Sequence, residues 1–312
     1  MTPAQSPPNR SAQNLHRRSP GEGGLGWLLA LPALAIIALV SVFPIAWTFW
    51  ESLHLDDLRM PWLGRPFIGW DNYLELLTDR RLWSAFGHTA FFAGTSVALE
   101  LAAGLALALL LDRVVRARSL IRTVVVLPWA IPTVVAALVW RFMFESPGGL
   151  ASAGLVQLGI AAPTWFADER AAWVPLVLAD VWKTTPFVAL LLLAGLQNID
   201  RTLYEAADVD GATSWQQFTG ITLPLLTPAI LVAALFRVLD AFRVFDVVFV
   251  MTLGGPGTAT ETVALYTFNT LMQHLRFGYG SALSVLTFAV TFALAVVAIR
   301  AFGVAVFPER ER

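Results

Sequence analysis

The hydrophobic positions of this chain gather in six long blocks separated by polar stretches. The blocks cover residues 27–49, 87–111, 121–144, 171–196, 225–251 and 281–306. A helix needs about 20 apolar residues to cross the hydrocarbon core of a bilayer, and each block is long enough. The pattern therefore predicts an all-α integral membrane protein with six transmembrane helices.

The segments outside the blocks set the predicted boundaries. Residues 1–26 contain four Pro and four Gly with few apolar side chains, a composition typical of disorder. The first block lacks charged residues and is longer than the apolar core of a signal peptide, which favours an uncleaved helix. We expect a disordered cytoplasmic tail over 1–26, a membrane domain over 27–306 and a cytoplasmic tail over 307–312.

Composition supports the membrane class and excludes several functions. Hydrophobic residues make up 57% of the chain and charged residues 14%, against about 45–50% and about 25% in soluble domains. The net charge of -1 argues against a nucleic-acid partner. The absence of Cys and the scattered positions of the four His argue against a metal site.

Arginines are distributed unequally between the two sides of the predicted bundle. Six lie on the side opposite the N-terminus, and eleven lie on the N-terminal side at positions 10, 17, 18, 113, 116, 118, 122, 201, 300, 310 and 312. Because cytoplasmic loops are enriched in Lys and Arg, the pattern favours a cell-membrane protein with both termini in the cytoplasm.

The first outer loop, residues 50–86, is rich in aromatic side chains among mixed charges. It contains Trp50, Trp62, Trp70, Tyr73 and Trp83. Such residues are typical of the belt at the membrane–water interface. A docking surface for an outer partner is the alternative.

The loop over 197–224 is long enough to fold. Thr202 with Glu205 fits a capping box that begins a helix, and Gly211 fits the left-handed position that ends one. Ser214 with Gln217 repeats the box, and Pro224 closes the second helix and opens the next span. The loop is therefore predicted to be a pair of short helices joined by a turn.

The residues of this loop also carry a family resemblance. The string comprises Glu205, Ala206, Ala207, Asp210, Gly211, Ala212, Phe218, Ile221, Leu223, Pro224 and Pro228. It resembles the EAA motif of permease subunits in binding-protein-dependent ABC importers. The segments 182–187, 235–250 and 254–257 are similar to the carbohydrate branch of these permeases, of the maltose and trehalose type. The similarity covers roughly residues 25–306 and departs at Asp200, where the family commonly has Pro.

The resemblance implies a type I ABC importer permease (MetI-like) fold and an assembly. It implies a second permease subunit, two ATPase subunits that receive the EAA loop in a cleft, and an extracytoplasmic sugar-binding protein. The coupling role would fall on Glu205, Ala206, Ala207, Asp210 and Gly211. The implied activity is ATP-driven import by alternating access of a di- or oligosaccharide such as trehalose or maltose. Glycerol 3-phosphate or another small solute is the alternative cargo.

The chain lacks the residues that ATP hydrolysis requires. A P-loop needs glycines before its Lys, and the one Lys of the sequence, Lys183, follows Trp182 inside an apolar block. We therefore expect a transporter subunit that is not an enzyme and holds no cofactor, with ATP bound on a separate ATPase.

Charged residues inside the fifth block suggest a polar path. Arg237, Asp240, Arg243 and Asp246 alternate in sign at three-residue steps, and charges at bilayer depth usually face a partner or a pathway. The candidate substrate path comprises Arg237, Asp240, Arg243, Phe236, Phe242 and Phe245.

Three other interpretations of buried charges stay open. The charges of the fifth block could instead neutralise one another and fix that helix to its neighbours. They could also couple ions in a secondary transporter. Asp180 and Lys183 invite a similar pairing, and Glu100 receives no role.

Prolines predict where the spans bend. Pro128 and Pro132 lie in the third block, and Pro175 and Pro186 lie in the fourth. Proline kinks helices because it removes a backbone donor and crowds the preceding turn. Such kinks either act as hinges or accommodate packing.

Overall fold

A computed structural model describes residues 22–113, 118–145 and 148–306. Most of the predicted N-terminal tail, residues 1–21, and the predicted C-terminal tail, 307–312, lie outside the described residues. The chain divides into two units, Met1–Trp50 and Glu51–Arg312, and each is described by itself.

The first unit contains the first apolar helix. Helix α1 (Glu22–Ile37) continues through a π turn (Ala38–Val42) into α2 (Phe43–Ser52). Residues 22–26 belong to helix α1.

The second unit consists mainly of helices joined by loops. Its helices are α3 (Asp71–Thr78), α4 (Arg80–Arg113), α5 (Arg118–Ala130), α6 (Thr133–Phe144), α7 (Leu150–Gln157), α8 (Trp173–Leu196), α9 (Thr202–Val209), α10 (Ser214–Gln217), α11 (Leu223–Ala241), α12 (Asp246–Met251), α13 (Val263–Phe268) and α14 (Phe277–Val306). A 3₁₀ turn covers Pro61–Leu63, and π turns cover Phe218–Thr222 and Asn269–Gln273.

Five described helices are long and apolar enough to span a membrane: Leu29–Ser52, Arg80–Arg113, Trp173–Leu196, Ser214–Ala241 and Phe277–Arg300. A sixth span results if the bent pair Ser119–Ala130 and Thr133–Phe144 is counted as one. The pair bends by 85° at the position of Pro132, where the sequence predicted a kink. The predicted all-α membrane fold is confirmed.

The fifth span differs from the prediction at both ends. It begins at Ser214, because α10 runs through the π turn into α11 instead of ending before Pro224. In the π turn the N–H of Leu223 bonds to the carbonyl of Phe218, five residues back, and Pro224 needs no N–H partner. The helix then ends at Ala241 and resumes at Asp246. The four charges that alternate along the fifth block therefore do not lie on one continuous helix.

Helices α4 and α8 pack in parallel along their length. Gly104 lies against Val188, where an added Cβ would be 2.5 Å from Val188 Cγ1. Farther along both helices, Ala108, Leu111 and Leu192 share a buried cluster with Leu226 of α11. The ends of α4 and α8 that reach the 197–222 loop therefore lie at one end of the bundle, and the segment 53–79 lies at the opposite end.

Candidate functional site

The loop between α8 and α11 folds into two helices, but its first cap differs from the predicted box. In the described loop Arg201 occupies the N-cap position and its side chain makes no capping bond. Instead the carboxylate of Asp200 accepts the N–H of Thr202 at 2.9 Å, and this bond lowers the pKa of Asp200 below its usual range. Asp at position 200 thus supplies the start of α9, because its short side chain reaches a backbone donor two residues ahead.

The turn and the second cap set the angle between the helices. Gly211 has φ +77°, the left-handed conformation that the sequence predicted. The second capping box is formed by Thr213 and Gln216, one residue earlier than predicted. Gln217 is thereby free to bind across the turn, where its amide donates to Asp208 at 2.5 Å. A side-chain bond and a rigid turn hold α9 and α10 together.

The outer surface of this helix pair is almost entirely exposed. Helix α9, which the structure describes in full, has no buried side chain. Val209 is 89% exposed and Trp215 is 70% exposed. On its inner side α9 is tied to the fifth span by the hydroxyls of Tyr204 and Thr222, 2.9 Å apart.

The predicted coupling residues share this surface. Ala207 is half-buried, and the other four are exposed: Glu205, Ala206, Asp210 and Gly211. The structure therefore brings the five together on one short, accessible element that is linked directly to a membrane span.

A cluster of charges joins three helices inside the membrane. Arg237 of α11 is 2% exposed, and its guanidinium donates to Glu100 of α4, Asp180 of α8 and Asp240 of its own helix. The Nη2 atom lies 2.8 Å from Glu100 Oε1 and 3.1 Å from Asp180 Oδ2. Glu100 is fully buried and also accepts the hydroxyl of Thr184 at 2.7 Å. We call these five residues the Arg237 cluster.

The cluster contains a partner that the sequence did not reveal. Glu100 lies 137 residues before Arg237, so helical spacing carries no signal for their contact. The pairing suggested for Asp180 and Lys183 is replaced by the contact of Asp180 with Arg237. The amine of Lys183 donates instead to the carbonyl of Trp129 at 3.2 Å.

One side of the cluster opens into a small polar cavity of about 210 Å³. It is lined by Trp129, Thr133, Asp180, Lys183, Thr184, Asp240, Ala241, Arg243, Val244, Phe245, Asp246 and Val247. Asp240 is the exposed member of the cluster, with 66% of its side chain accessible. Arg243 and Asp246 are exposed beside it. The cavity is therefore bordered by carboxylates, two cations and an indole.

The six candidate path residues divide into three groups. Asp240, Arg243 and Phe245 line the cavity. Arg237 lies behind Asp240 with its guanidinium occupied by carboxylates. The remaining two point elsewhere: Phe236 contacts Phe187, and Phe242 is buried against Phe86. Several polar or aromatic lining residues were not among the candidates from the sequence, namely Trp129, Thr133, Asp180, Lys183, Thr184 and Asp246.

The break between α11 and α12 also belongs to this site. Residues 242–245 leave helical backbone at membrane depth, which membranes tolerate only where the chain is covered by protein or lines a water-filled cavity. The hydroxyl of Thr262 donates to the carbonyl of Val244 at 3.1 Å and so satisfies one of the freed backbone groups. Within the described residues, no group of three His, Cys, Asp or Glu is placed to hold a metal ion.

A bundle of apolar helices with an exposed, span-linked helix pair at one end and an open polar cavity on its side has the architecture of the transmembrane component of a solute transporter. The sequence assigns its family: residues 100–310 match the binding-protein-dependent transport system inner membrane component. The chain belongs to this family and is a permease subunit of an ABC importer.

Named relatives span nearly the whole chain. The trehalose/maltose transport system permease protein MalF of Thermococcus litoralis is 43% identical over 276 residues, 88% of this chain and 92% of that protein. The trehalose transport system permease protein SugA of Mycobacterium tuberculosis is 39% identical over 284 residues, 91% and 90% of the two chains. The sulfoquinovosyl glycerol transport system permease protein SmoG of Agrobacterium fabrum is 38% identical over 280 residues, 90% and 91%.

Solved structures support the fold. A chain of a bacterial ABC transporter involved in the import of the acidic polysaccharide alginate superposes with a TM-score of 0.76. The alignment covers 89% of this chain and 95% of that chain at 24% sequence identity. The type I permease fold inferred from the sequence is therefore confirmed.

Proposed function

We propose that this permease imports a neutral di- or oligosaccharide such as trehalose or maltose by alternating access. It acts with a second permease subunit, two cytoplasmic ATPase subunits and an extracytoplasmic binding protein, and both of its own termini lie in the cytoplasm. The proposed cargo is based on the 43% identity, over 88% of the chain, to a trehalose/maltose permease.

The helix pair α9–α10 supports a separate ATPase as the source of motion. Its outer surface carries exposed apolar side chains, including Val209 and Trp215, as expected of a surface that a partner covers. The Asp208–Gln217 bond and the left-handed turn at Gly211 make it a rigid unit. Because α10 continues into α11 without a break in the helix, displacement of the pair moves the fifth span directly.

The cavity beside the Arg237 cluster supports a sugar path. Carboxylates such as Asp240 accept hydrogen bonds from hydroxyl groups, Lys183 donates to hydroxyl oxygens, and the indole of Trp129 adds an apolar wall. Its volume of about 210 Å³ is below the ~300–1,000 Å³ of typical small-molecule sites. This chain forms only one side of the sugar path. A second permease subunit supplies the remaining walls of the binding site.

Transport in proteoliposomes tests this proposal. The chain is reconstituted with its second permease and ATPase subunits, and the binding protein is added outside with radiolabelled trehalose or maltose. We expect uptake that requires ATP inside and persists with an uncoupler. Uptake that collapses with the uncoupler while ATP stays high would establish the ion-coupled alternative.

Crosslinking tests the coupling surface separately. The natural chain contains no Cys, so Ala207→Cys introduces a single reactive site on α9, and Thr258→Cys serves as an exposed control at the opposite end. We expect nucleotide-dependent crosslinks to an ATPase subunit from position 207 and none from 258. Crosslinks from 207 to lipid or to its own chain alone would refute the coupling role.

A charged cargo is the second candidate, because Lys183 and Arg243 border the cavity and one relative is named for sulfoquinovosyl glycerol transport. Competition distinguishes the two cargoes. A sulfonated sugar that outcompetes trehalose for uptake, in the presence of the chain's own binding protein, would replace the neutral cargo in the proposal.

A further inference from the structure

The short helix α3 has three distinct faces. Asn72 and Leu76 form a buried face, and Asp71 and Glu75 form a charged one. At 100° per residue, positions 74 and 77 fall together on a third face. Its side chains are apolar yet exposed, Leu74 to 60% and Leu77 to 67%.

Chain connectivity and hydrogen bonds place α3 at the level of the membrane surface. The helix lies between two spans that end at Ser52 and begin at Arg80. The amide of Asn72 donates to the carbonyl of Ser52 at 2.8 Å. Arg80 precedes the apolar block that begins at 87 by seven residues, about 10 Å of helix, and one headgroup layer is about 5–8 Å deep, so the start of α4 lies at the outer edge of that layer.

The apolar face of α3 continues into the exposed face of a membrane span. The indole of Trp83 donates to the carbonyl of Leu77 at 3.2 Å and is itself 52% exposed. From Trp83 the exposed face of α4 runs through Gly87 and Ala90 to Phe91. A surface that continues the exposed apolar side of a span at headgroup depth is positioned to contact lipid.

The 3₁₀ turn Pro61–Leu63 extends the same kind of surface. It exposes Trp62 to 77% and Leu63 to 48%, and Trp is the residue most typical of membrane–water interfaces. From these contacts we infer that α3 and this turn lie in the headgroup layer of the membrane leaflet opposite the α9–α10 loop, with Leu74, Leu77 and Trp62 in contact with phospholipid.

Contact of α3 with the headgroups sets the membrane depth of the end of the bundle that faces away from the ATPase. The residue after α3, Asp79, accepts the N–H groups of Arg81 and Leu82 and so caps α4. It also accepts the hydroxyls of Tyr266 and Tyr279 at 2.5 Å each. A helix anchored in the headgroups therefore holds the start of α4 against α13 and α14 at a constant depth.

Site-directed spin labelling tests the inference on the full chain, assembled with its partner subunits in phosphatidylcholine–phosphatidylglycerol vesicles. Single-Cys variants Leu74→Cys, Leu77→Cys and Leu63→Cys carry the nitroxide on the apolar surface. Asp71→Cys is the matched control on the charged face of α3. Collision rates with oxygen, which partitions into lipid, and with a water-soluble nickel chelate are measured at each position.

We expect the ratio of oxygen to nickel collisions to be high at 63, 74 and 77 and inverted at 71. Nickel collisions at 74 and 77 as frequent as those at 71 would refute lipid contact, because the face would then lie in water. Labels at 74 and 77 that are immobilised and shielded from both reagents would also refute it, since a protein partner would then cover the face. If a variant in α3 fails to fold, the collision rates of the label at position 63 distinguish lipid, water and a protein partner in the same way. None of these readouts depends on which solute is transported.

Discussion

Removal of Arg237 should destabilise the bundle far more than removal of its exposed partner. The variant Arg237→Met deletes the cation that three carboxylates share and leaves Glu100, which is fully buried, without its guanidinium partner. Breaking a buried ion pair from one side costs about 3–5 kcal/mol. The variant Asp240→Asn removes a carboxylate that is 66% exposed, and exposed pairs contribute about 0–1 kcal/mol.

Equilibrium unfolding in mixed detergent micelles measures both variants against the natural chain. The triple variant Glu100→Leu, Asp180→Leu and Arg237→Leu provides a further control, because it removes both buried carboxylates together with the cation that they share. Replacing a buried ion cluster by apolar side chains of similar size is often neutral, so we expect the triple variant to recover most of the loss. The reasoning is refuted if Arg237→Met costs no more than Asp240→Asn, or if the triple variant is as unstable as the sum of its single changes.

Three further substitutions test the turn, the packing and the cap. Gly211→Val should reduce ATP-coupled uptake, because a β-branched residue at φ +77° destabilises the turn by about 1–3 kcal/mol. The control Gly220→Ala adds a Cβ that meets open space, and it should leave uptake unchanged. Gly104→Ala should lower the free energy of unfolding by about 1–3 kcal/mol through overpacking, measured against Gly94→Ala, which has open space. Asp79→Asn should lower stability at pH 7. Although burial opposes the shift, hydrogen bonds from two tyrosines and two backbone N–H groups lower the pKa of Asp79, so its contribution is present above the unfolded value near ~4. The difference between variant and natural chain should shrink as the pH falls through the lower, folded value.

Local signals account for the features that the sequence predicted correctly. A run of apolar residues predicts a span, Pro132 predicts the bend, and Gly211 predicts the left-handed turn, because each depends on residues that are neighbours along the chain. The second capping box illustrates the limit of this reasoning. Thr213 and Ser214 are equally suitable caps by residue type, and the choice of Thr213 leaves Gln217 free to bind Asp208.

Tertiary contacts determine what the sequence could not show. Nothing near Glu100 distinguishes it from an isolated polar residue until α11 brings Arg237 beside it. The break after Ala241 occurs without Pro or Gly at 242–245. There the non-helical chain is supported by Thr262, 18 residues beyond Val244, which bonds to its carbonyl.

Exposed charges near the end of the fifth span favour a surface that is not covered by lipid. Asp240, Arg243 and Asp246 are all exposed, and they lie at or just after the end of the span at Ala241. A charge at the centre of a span costs about 2.5–3.5 kcal/mol on insertion scales, which is an upper bound for these positions. The Arg237 cluster offsets part of this for Asp240, and the rest requires water or a protein partner. A second permease that covers this face and encloses a wet path satisfies both requirements. Expressed without that partner, the chain should therefore show lower stability in membranes than in the assembled complex. Equal half-lives in the two situations would contradict a path formed between subunits.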